Sequence, residues 1–276
     1  MVKEEHDAPD DPELAAKIKF EVPHSARVWN YWLGGKDNYP ADRAVGDAVL
    51  AVNPSLPLTA RQCRRFLVRA VRFLAGEVGI RQFLDIGTGL PTVQNTHEVA
   101  QGIAAGSRIV YVDNDPLVLA HARALLIDTT PEGVTTYIHA DVREPESIIA
   151  DARNVLNFTQ PIAVMLLGIL GHAAPEFDTM RSIIARLMAG VPSGSYLVLM
   201  DGADTTDEVY RAGVQRQAEM GHPYHLRTVE QFTECFARME LVDPGLVPVT
   251  QWRPDTTEVG TLEPSSSAYG AVARKP

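Results

Sequence analysis

The chain has 276 residues, 45% of them hydrophobic, and a net charge of −10 from 35 acidic and 25 basic side chains. This length suits one α/β domain of roughly 200 residues with an extension, and the hydrophobic content is ample for a packed core. The acidic balance argues against DNA or RNA as a main partner, because nucleic-acid-binding domains usually carry a basic face.

The sequence carries no signal for secretion, membrane insertion or zinc binding. Its polar start lacks the apolar stretch of a signal peptide, and no apolar run reaches the length of about 18 residues that a membrane span needs. Cys63 and Cys235 lie far apart, and neither has a partner at metal-ligand spacing. We therefore expect a cytoplasmic protein without a disulfide framework or a metal site.

The N-terminal part differs in composition from the rest of the chain. Residues 1–20 are polar and charged and are predicted to form a flexible tail. Residues 21–80 are predicted to form a helical extension, with one helix over 41–52 and a longer one over 59–78 that starts with a capping-box pattern. The remaining residues, 81–276, are assigned to one α/β domain.

Apolar strands alternate with amphipathic helices from residue 81 onward, which is typical of a parallel sheet covered on both faces. The predicted strands are 82–86, 108–113, 134–140, 161–167, 196–200, 246–252 and 269–273. The predicted helices are 93–104, 116–127, 145–156, 176–189, 205–220 and, after a second capping-box pattern, 228–237. The loop over 253–267 leaves no room for a crossover helix, so the last two strands are predicted to form an antiparallel hairpin. The predicted fold is a three-layer sandwich around a seven-stranded, mostly parallel sheet with this C-terminal antiparallel hairpin.

A glycine-containing turn follows the first predicted strand. Gly87 and Gly89 come directly after an apolar run and precede a predicted helix. Glycine suits a position at which the backbone turns sharply and touches a ligand. Taken alone, the two glycines also fit a tight strand–helix turn without a ligand.

Carboxylates lie at the ends of three successive predicted strands. Asp85 lies in the first strand, just before Gly87, Asp113 ends the second, and Asp141 follows the third. Because ligands of parallel α/β sheets bind at the carboxyl ends of the strands, these acids are predicted to line one site. Asp113 suits ribose hydroxyls, Asp141 the amino group of adenine, and Asp85 a ligand ammonium. For each of them, capping a helix or a loop is the structural alternative.

The same turn disfavours a dinucleotide. Thr92 replaces the third glycine of a dinucleotide fingerprint, Pro91 hinders close approach, and the loop has no basic side chain for a pyrophosphate. The surrounding acids favour a ligand with cationic groups. S-adenosylmethionine has a ribose, an adenine, an ammonium and a sulfonium but no phosphate, so it fits better than NAD.

At these residues the sequence resembles the class I S-adenosylmethionine-dependent methyltransferases, and most closely a bacterial, largely actinomycete branch of unknown substrate. The resemblance rests on residues 27–39, 84–92 and 95–98, and it extends over nearly the whole chain beyond residue 20. It implies a Rossmann-like fold, S-adenosylmethionine as cofactor and methyl transfer to an acceptor, for which we expect a small molecule.

The resemblance also implies which residues bind the cofactor. The glycine turn would hold the methionine end, Asp113 the ribose, and Asp141 with Val142 the adenine. Residues 167–172, after the fourth strand, would line the methyl and acceptor side. The predicted binding residues of this core are Asp85, Gly87, Thr88, Gly89, Asp113, Asn114, Asp141, Val142 and Leu167.

An aromatic stretch within residues 25–39 contains Trp29 and Tyr31. Packing of the extension onto the core is one interpretation, because aromatic side chains bury large areas. A lid over the sulfonium is the other, because aromatic faces attract cations. On the second interpretation, Trp29 and Tyr31 join the predicted cofactor-binding residues.

His172 follows the fourth predicted strand and so lies in the predicted cleft. A satisfied loop histidine is the simpler interpretation, and a general base that deprotonates a hydroxyl or an amine is the alternative. His172 is therefore the candidate catalytic residue.

Three functions stay open on the sequence alone. The favoured one is a methyltransferase acting on a small molecule. A non-catalytic S-adenosylmethionine-binding protein is the first alternative, and an NAD-dependent oxidoreductase is the second and weaker one. The terminal hairpin and the N-terminal helices are the two candidate surfaces for a homodimer contact.

Overall fold

The computed structural model describes residues 18–125, 129–254 and 266–276. Residues 1–17 of the predicted tail, residues 126–127 of the helix predicted over 116–127 and residues 255–265 of the loop lie outside the described residues, whereas Ile18, at the end of the predicted tail, is buried. None of the described helices is long and apolar enough to cross a bilayer.

One mixed sheet of eight strands forms the centre of the fold. Its strands are β1 Gln82–Ile86, β2 Arg108–Asp113, β3 Val134–His139, β4 Ala163–Leu167, β5 Tyr196–Gly202, β6 Glu240–Leu241, β7 Val247–Pro248 and β8 Ala268–Arg274. The order is β3-β2-β1-β4-β5-β8-β6, with β7 also paired to β8. Strands β1 to β5 pair in parallel, and β8 is antiparallel to β5, β6 and β7. The predicted mostly parallel Rossmann-like sheet with antiparallel C-terminal strands is confirmed.

The C-terminal edge differs in detail from the predicted hairpin. The strand predicted over 246–252 is reduced to β7, because Val249–Gln251 form a 3₁₀ turn. Strand β6, which pairs with the other end of β8, was not predicted. Between them the chain leaves the sheet in a turn closed by the Gly245 N–H, which donates to the Val242 carbonyl at 2.8 Å. The edge is thus one strand in two short pieces, and the sheet has eight strands where seven were predicted.

Helices cover both faces of the sheet. They are α1 Ser25–Trp32, α2 Pro40–Leu50, α3 Leu56–Arg72, α4 Thr96–Ile103, α5 Pro116–Leu125, α6 Pro145–Ala152, α7 Leu170–Ala173, α8 Phe177–Gly190, α9 Glu208–Glu219 and α10 Val229–Cys235. Neighbouring residues of β1 enter opposite cores: Phe83 packs with α3 and α4, and Leu84 packs with α6, α8 and α10. Burial on both faces explains why the central strands are mainly apolar.

The two capping-box predictions have opposite outcomes. At Thr228 the prediction is confirmed, because its hydroxyl accepts the Gln231 N–H at 3.2 Å and the Gln231 side chain accepts the Thr228 N–H at 3.0 Å. At Thr59 it is wrong, because α3 begins at Leu56 and has Pro57 in its first turn. Proline is favoured there, since the N–H it lacks would have no partner within the helix.

A buried network of charged side chains attaches the N-terminal helices to the end of β2. Arg27 of α1 places Nε 3.3 Å from Oδ2 of Asp115 and Nη1 3.7 Å from Oδ2 of Asp42. Asp42 also accepts the backbone N–H groups of His24 at 2.9 Å and Tyr39 at 2.8 Å. His24 Nδ1 lies 3.1 Å from Asp115. Arg27, Asp42 and Asp115 are each no more than 3% exposed, so their charges depend on one another.

The substitution Arg27→Met tests this network. We expect it to lower the free energy of unfolding by about 3–5 kcal/mol, because two buried carboxylates lose their cation. Urea denaturation of the purified protein measures the change. The control Arg211→Met removes a solvent-exposed pair with Asp204 and should lower the free energy of unfolding by less than about 1 kcal/mol. Equal effects of the two substitutions would contradict the role assigned to Arg27.

Candidate functional site

Two adjoining cavities lie where the carboxyl ends of the parallel strands meet the N-terminal helices. The larger contains about 1350 Å³ of space, part of it open to solvent, and the smaller about 640 Å³. The larger cavity is lined by Trp29, Asp85, Gly87, Thr88, Gly89, Asp113, Asn114, Leu167 and His172 among others. Asp141 and Val142 line the smaller one, which also touches Gly87, Asp113, Asn114 and His172. The structure therefore brings the predicted site residues together, apart from Tyr31.

The turn after β1 needs glycine at both predicted positions. Gly87 has φ +73° and Gly89 has φ +67°, a region that side-chain-bearing residues rarely adopt. A Cβ atom on Gly87 would also lie 2.6 Å from the side chain of Ile169, in the loop after β4. The turn is thus fixed by backbone conformation, by close packing and by its hydrogen bonds to the end of β2, where the Val112 carbonyl accepts the Gly87 N–H at 2.7 Å.

Asp113, at the end of β2, closes the glycine turn. Its Oδ2 accepts the Gly89 N–H at 2.8 Å and its Oδ1 accepts the Asp115 N–H at 3.0 Å. Burial raises the pKa of this carboxyl, and the two backbone hydrogen bonds lower it. A carboxylate has about four lone-pair sites, so Asp113 keeps the capacity to accept hydrogen bonds from ligand hydroxyls.

Asp85 and Arg64 place opposite charges beside the glycine turn. Asp85 is 3% exposed and accepts the Thr96 hydroxyl at 2.7 Å. Burial raises the pKa of Asp85 to about 6, against the lowering effects of Thr96 and Arg64. Both Asp85 and Arg64 line the larger cavity. A carboxylate next to a guanidinium suits an amino acid group, which carries an ammonium and a carboxylate.

Arg64 was not predicted from the sequence, because it is one of several arginines on α3. Its Nη2 donates to the carbonyl groups of Val93 at 3.2 Å and Gln94 at 3.0 Å, and its side chain also lines the cavity. Arg64 shares a helix face with the buried Leu67, three residues on, and this spacing turns it toward the sheet edge. His24 and Ser25, which line both cavities, were missed too, because their position depends on how α1 folds back over the sheet.

Asp141 lies at the mouth of the smaller cavity beside Val142. It accepts the Arg143 backbone N–H and the Arg143 Nε, each at 2.9 Å. The Arg143 hydrogen bond holds the pKa of Asp141 below its usual value, so the carboxylate is charged. Val142 is 5% exposed and supplies an apolar surface next to it. An apolar wall with an adjoining hydrogen-bond acceptor suits a flat base that has an amino group.

His172 lies on the short helix α7, between the two cavities. Its Nδ1 lies 3.2 Å from the Pro223 carbonyl oxygen, and its ring is 4.8 Å from the rings of both His222 and Tyr224. A carbonyl only accepts, so this contact assigns the proton of the neutral ring to Nδ1 and leaves Nε2 unprotonated. Burial and the neighbouring His222 lower the pKa of His172 to about 3. The ring is therefore neutral at ordinary pH.

Trp29 and Tyr31 point in different directions from α1. Trp29 lines the larger cavity and packs edge-on against Trp32, with ring centroids 6.0 Å apart. Tyr31 packs on Gly46 of α2 and donates its hydroxyl to Asp47 at 2.5 Å, away from the cavity lining.

The polar residues that follow Trp29 and Tyr31 hold a turn together. Asn30 Oδ1 accepts the Asp37 N–H at 3.1 Å and the Asn38 Nδ2 at 3.0 Å. A Cβ atom on Gly35 would overlap the Asn30 side chain. Loop geometry thus accounts for Gly35, Asp37 and Asn38, whereas Asn30 also lines the larger cavity.

Comparison with solved structures shows two proteins that are similar over nearly their whole length. A DUF574 family protein from Streptomyces avermitilis is 44% identical, has a TM-score of 0.85, and aligns with 93% of this chain and 99% of its own. A protein from Thermobifida fusca, described as a methyltransferase candidate, is 40% identical with a TM-score of 0.86 and coverage of 98% and 99%. The plantazolicin methyltransferase BpumL shares only the fold, at 13% identity, a TM-score of 0.52 and coverage of 96% and 98%.

The site fits the cofactor of such enzymes. The glycine turn has no room for a side chain at Gly87, and a carboxylate lies beside it at Asp113. Asp85 and Arg64 match the two charges of the methionine end. A search of curated proteins finds no match to the chain. A family model described as S-adenosyl methyltransferase matches residues 11–276. The chain belongs to this family, and it is an S-adenosylmethionine-dependent methyltransferase.

Proposed function

We propose that the protein methylates a small, largely apolar acceptor that binds in the larger cavity. The observation that carries this proposal is the enclosure of that cavity by helices α1, α2, α3 and α9 over the sheet edge. Most of its inner surface is apolar, with Trp29, Trp32, Leu33, Val49, Leu56, Leu67, Met200, Val214 and Ala268 in the wall. Small-molecule sites are concave and mainly apolar with a few polar groups.

The cofactor-binding roles follow from the residues that line the two cavities. Asp113 would hold the ribose, Asp141 and Val142 the adenine, and Asp85 with Arg64 the methionine end. When bound, S-adenosylmethionine supplies a methyl group activated by its sulfonium. The protein then has to align the acceptor and exclude water, which by themselves account for a large share of the acceleration of such a transfer.

His172 is proposed as the general base for an acceptor hydroxyl or amine. It lines both cavities, and the contact with the Pro223 carbonyl leaves Nε2 to take up the proton. The neighbouring Tyr224 holds the ring from the side, at a centroid distance of 4.8 Å.

Transfer of a radiolabelled methyl group tests the proposed function. The purified protein is incubated with methyl-labelled S-adenosylmethionine and, in separate reactions, with the small-molecule and the macromolecular fraction of an ultrafiltered extract of Streptomyces avermitilis, the source of a close structural relative. We expect label in a small product. Binding of S-adenosylmethionine without any transfer would favour a non-catalytic binding protein. Label only in macromolecules would exclude a small acceptor, and tighter binding of NAD would point to an oxidoreductase.

For Asp113→Ala we expect S-adenosylhomocysteine affinity to fall by about 1–3 kcal/mol, because a buried acceptor of the ribose hydroxyls is lost. Isothermal calorimetry measures the affinity. Asp178→Ala is the matched control, since Asp178 is 95% exposed and lies in a surface pair. Unchanged affinity in Asp113→Ala would contradict the ribose assignment.

For His172→Gln we expect turnover to fall by about 10²–10⁴-fold, with cofactor affinity retained, because a general base is lost while a donor to Pro223 remains. The wild-type rate should also stay constant as pH falls through 6.5, the ordinary histidine pKa, because the pKa of His172 is lowered to about 3. Steady-state kinetics with the identified acceptor measure both. His121→Gln, which removes a partly exposed contact with Asp37, is the control and should leave turnover unchanged. A similar loss in both variants would count against His172 as the base.

For Trp29→Ala we expect faster release of S-adenosylhomocysteine, because Trp29 is part of the cavity wall. Stopped-flow fluorescence measures the release rate.

Tyr31→Ala tests the remaining prediction from the sequence. Its side chain lies outside the lining, so we expect a lower melting temperature and an unchanged release rate. If both substitutions lower only the melting temperature, these aromatic residues serve packing alone.

A further inference from the structure

The stretch of the larger cavity bordered by α9 carries polar side chains that the proposed methyl transfer does not use. Tyr210, Val214 and Gln217 of α9 line the cavity, and their spacing of four and three residues places them on one helix face. Asn53, which follows α2, lies beside them, because a Cβ atom on Gly213 would be 3.1 Å from the Asn53 Cβ. Tyr210, Gln217 and Asn53 together form the polar wall of the cavity.

Gln217 is the strongest member of this wall. It is 5% exposed, yet across residues 18–125, 129–254 and 266–276 its carboxamide has no hydrogen-bond partner. Buried amides almost always have partners, and a carboxamide that lines a cavity finds its partners in whatever fills that cavity. Gln217 therefore points to a bound molecule with matching hydrogen-bonding groups.

Asn53 and Tyr210 add donors further along the same wall. Asn53 is 2% exposed, and its Oδ1 already accepts the Ser55 hydroxyl at 2.7 Å, which leaves its Nδ2 as a donor. The Tyr210 hydroxyl packs against Gly202, where a Cβ atom would overlap it. Burial raises the pKa of Tyr210, so its hydroxyl keeps its proton.

This polar wall is close to the proposed base. Tyr224 connects the two, because its ring contacts His172 at 4.8 Å and its hydroxyl accepts the Gly202 N–H at 2.8 Å. Gly202 in turn packs against Tyr210. A small acceptor therefore can present its nucleophile to His172 while another of its groups contacts α9.

The wall is neutral as well as polar. Arg64 of α3 is a cation that lines the cavity, but it lies at the cofactor end, beside Asp85. The nearby Cys63 thiol is neutral too, because burial raises its pKa to about 12. A carboxylate or phosphate placed against this wall would lose its hydration without gaining a counter-charge.

We propose that Gln217, Asn53 and Tyr210 determine acceptor specificity by binding a neutral hydrogen-bonding group, such as a carboxamide, that is separate from the methylated atom. The inference rests on the proposed methylation of a small molecule in this cavity. A site built to hydrogen-bond a substrate group discriminates strongly against analogues that lack it, because its own buried polar groups are then left unpaired.

Three ring-matched probes test this specificity: 4-hydroxybenzamide, 4-hydroxybenzoate and 4-methylphenol. Their binding to the protein saturated with S-adenosylhomocysteine is measured by ligand-observed NMR titration. We expect 4-hydroxybenzamide to bind about tenfold more tightly than the other two probes. The loss of one buried hydrogen bond lowers affinity by about this factor. The substitution Gln217→Met should remove this preference. The control Gln215→Met, on the exposed side of α9, should keep it.

The outcomes separate this inference from the proposed function on which it rests. S-adenosylhomocysteine binding is measured first in each variant, and its failure in the wild type would count against the cofactor site itself. With the cofactor site occupied, three results would overturn the specificity role: equal binding of the probes, preference for the benzoate, or no binding of the benzamide. A preference that survives in Gln217→Met would overturn the role of Gln217.

Discussion

The ion pair between Arg27 and Asp115 is withdrawn from solvent at the end of β2, two residues from the carboxylate that closes the glycine turn. Removing these charges from water costs free energy, which is offset by their mutual contact and by hydrogen bonds to the backbone: Arg27 Nη2 donates to the Val22 carbonyl at 3.0 Å, and Asp115 Oδ1 accepts the Leu117 N–H at 3.0 Å. The pair therefore helps to hold the N-terminal helices against the end of β2. Asp113 faces the cofactor cleft from the same strand end. The N-terminal helices, which form the roof of the cavity, and the glycine turn at its floor are therefore both attached to the end of β2.

The cavity under this roof combines two chemical environments. Around the glycine turn it presents charged groups, Asp85, Asp113 and Arg64, which suit a zwitterionic cofactor with a ribose. Along α9 its polar groups are neutral and its surface is mainly apolar. His172 lies between the two, in a setting that keeps its ring uncharged. Buried charged side chains are therefore confined to the cofactor end of the cavity, where the charges of the cofactor can pair with them.

The sheet and the glycine turn could be predicted because they depend on local sequence. A strand that is buried on both faces must be apolar, and the carboxyl ends of parallel strands meet at one edge, so chain order alone places Asp85, Asp113 and Asp141 together. The roof could not be predicted in this way. Trp29 and Tyr31 are two residues apart on a helix and so face different neighbours, and only tertiary packing decides which one meets the cavity. Arg64, His24 and Gln217 were missed for the same reason, as was the short strand β6 at the C-terminal edge.

That interrupted edge has a consequence for how the protein behaves in a crowded solution. An open sheet edge presents a row of backbone groups that can pair with another chain and begin aggregation. Here the outermost position is filled by two short pieces, one of which contains Pro248, which has no N–H to donate, and the other Glu240, which is paired with Arg274 at 2.9 Å. This edge offers a second molecule neither a long nor a regular row of free backbone hydrogen-bonding groups. This side of the sheet therefore resists extension by strand addition.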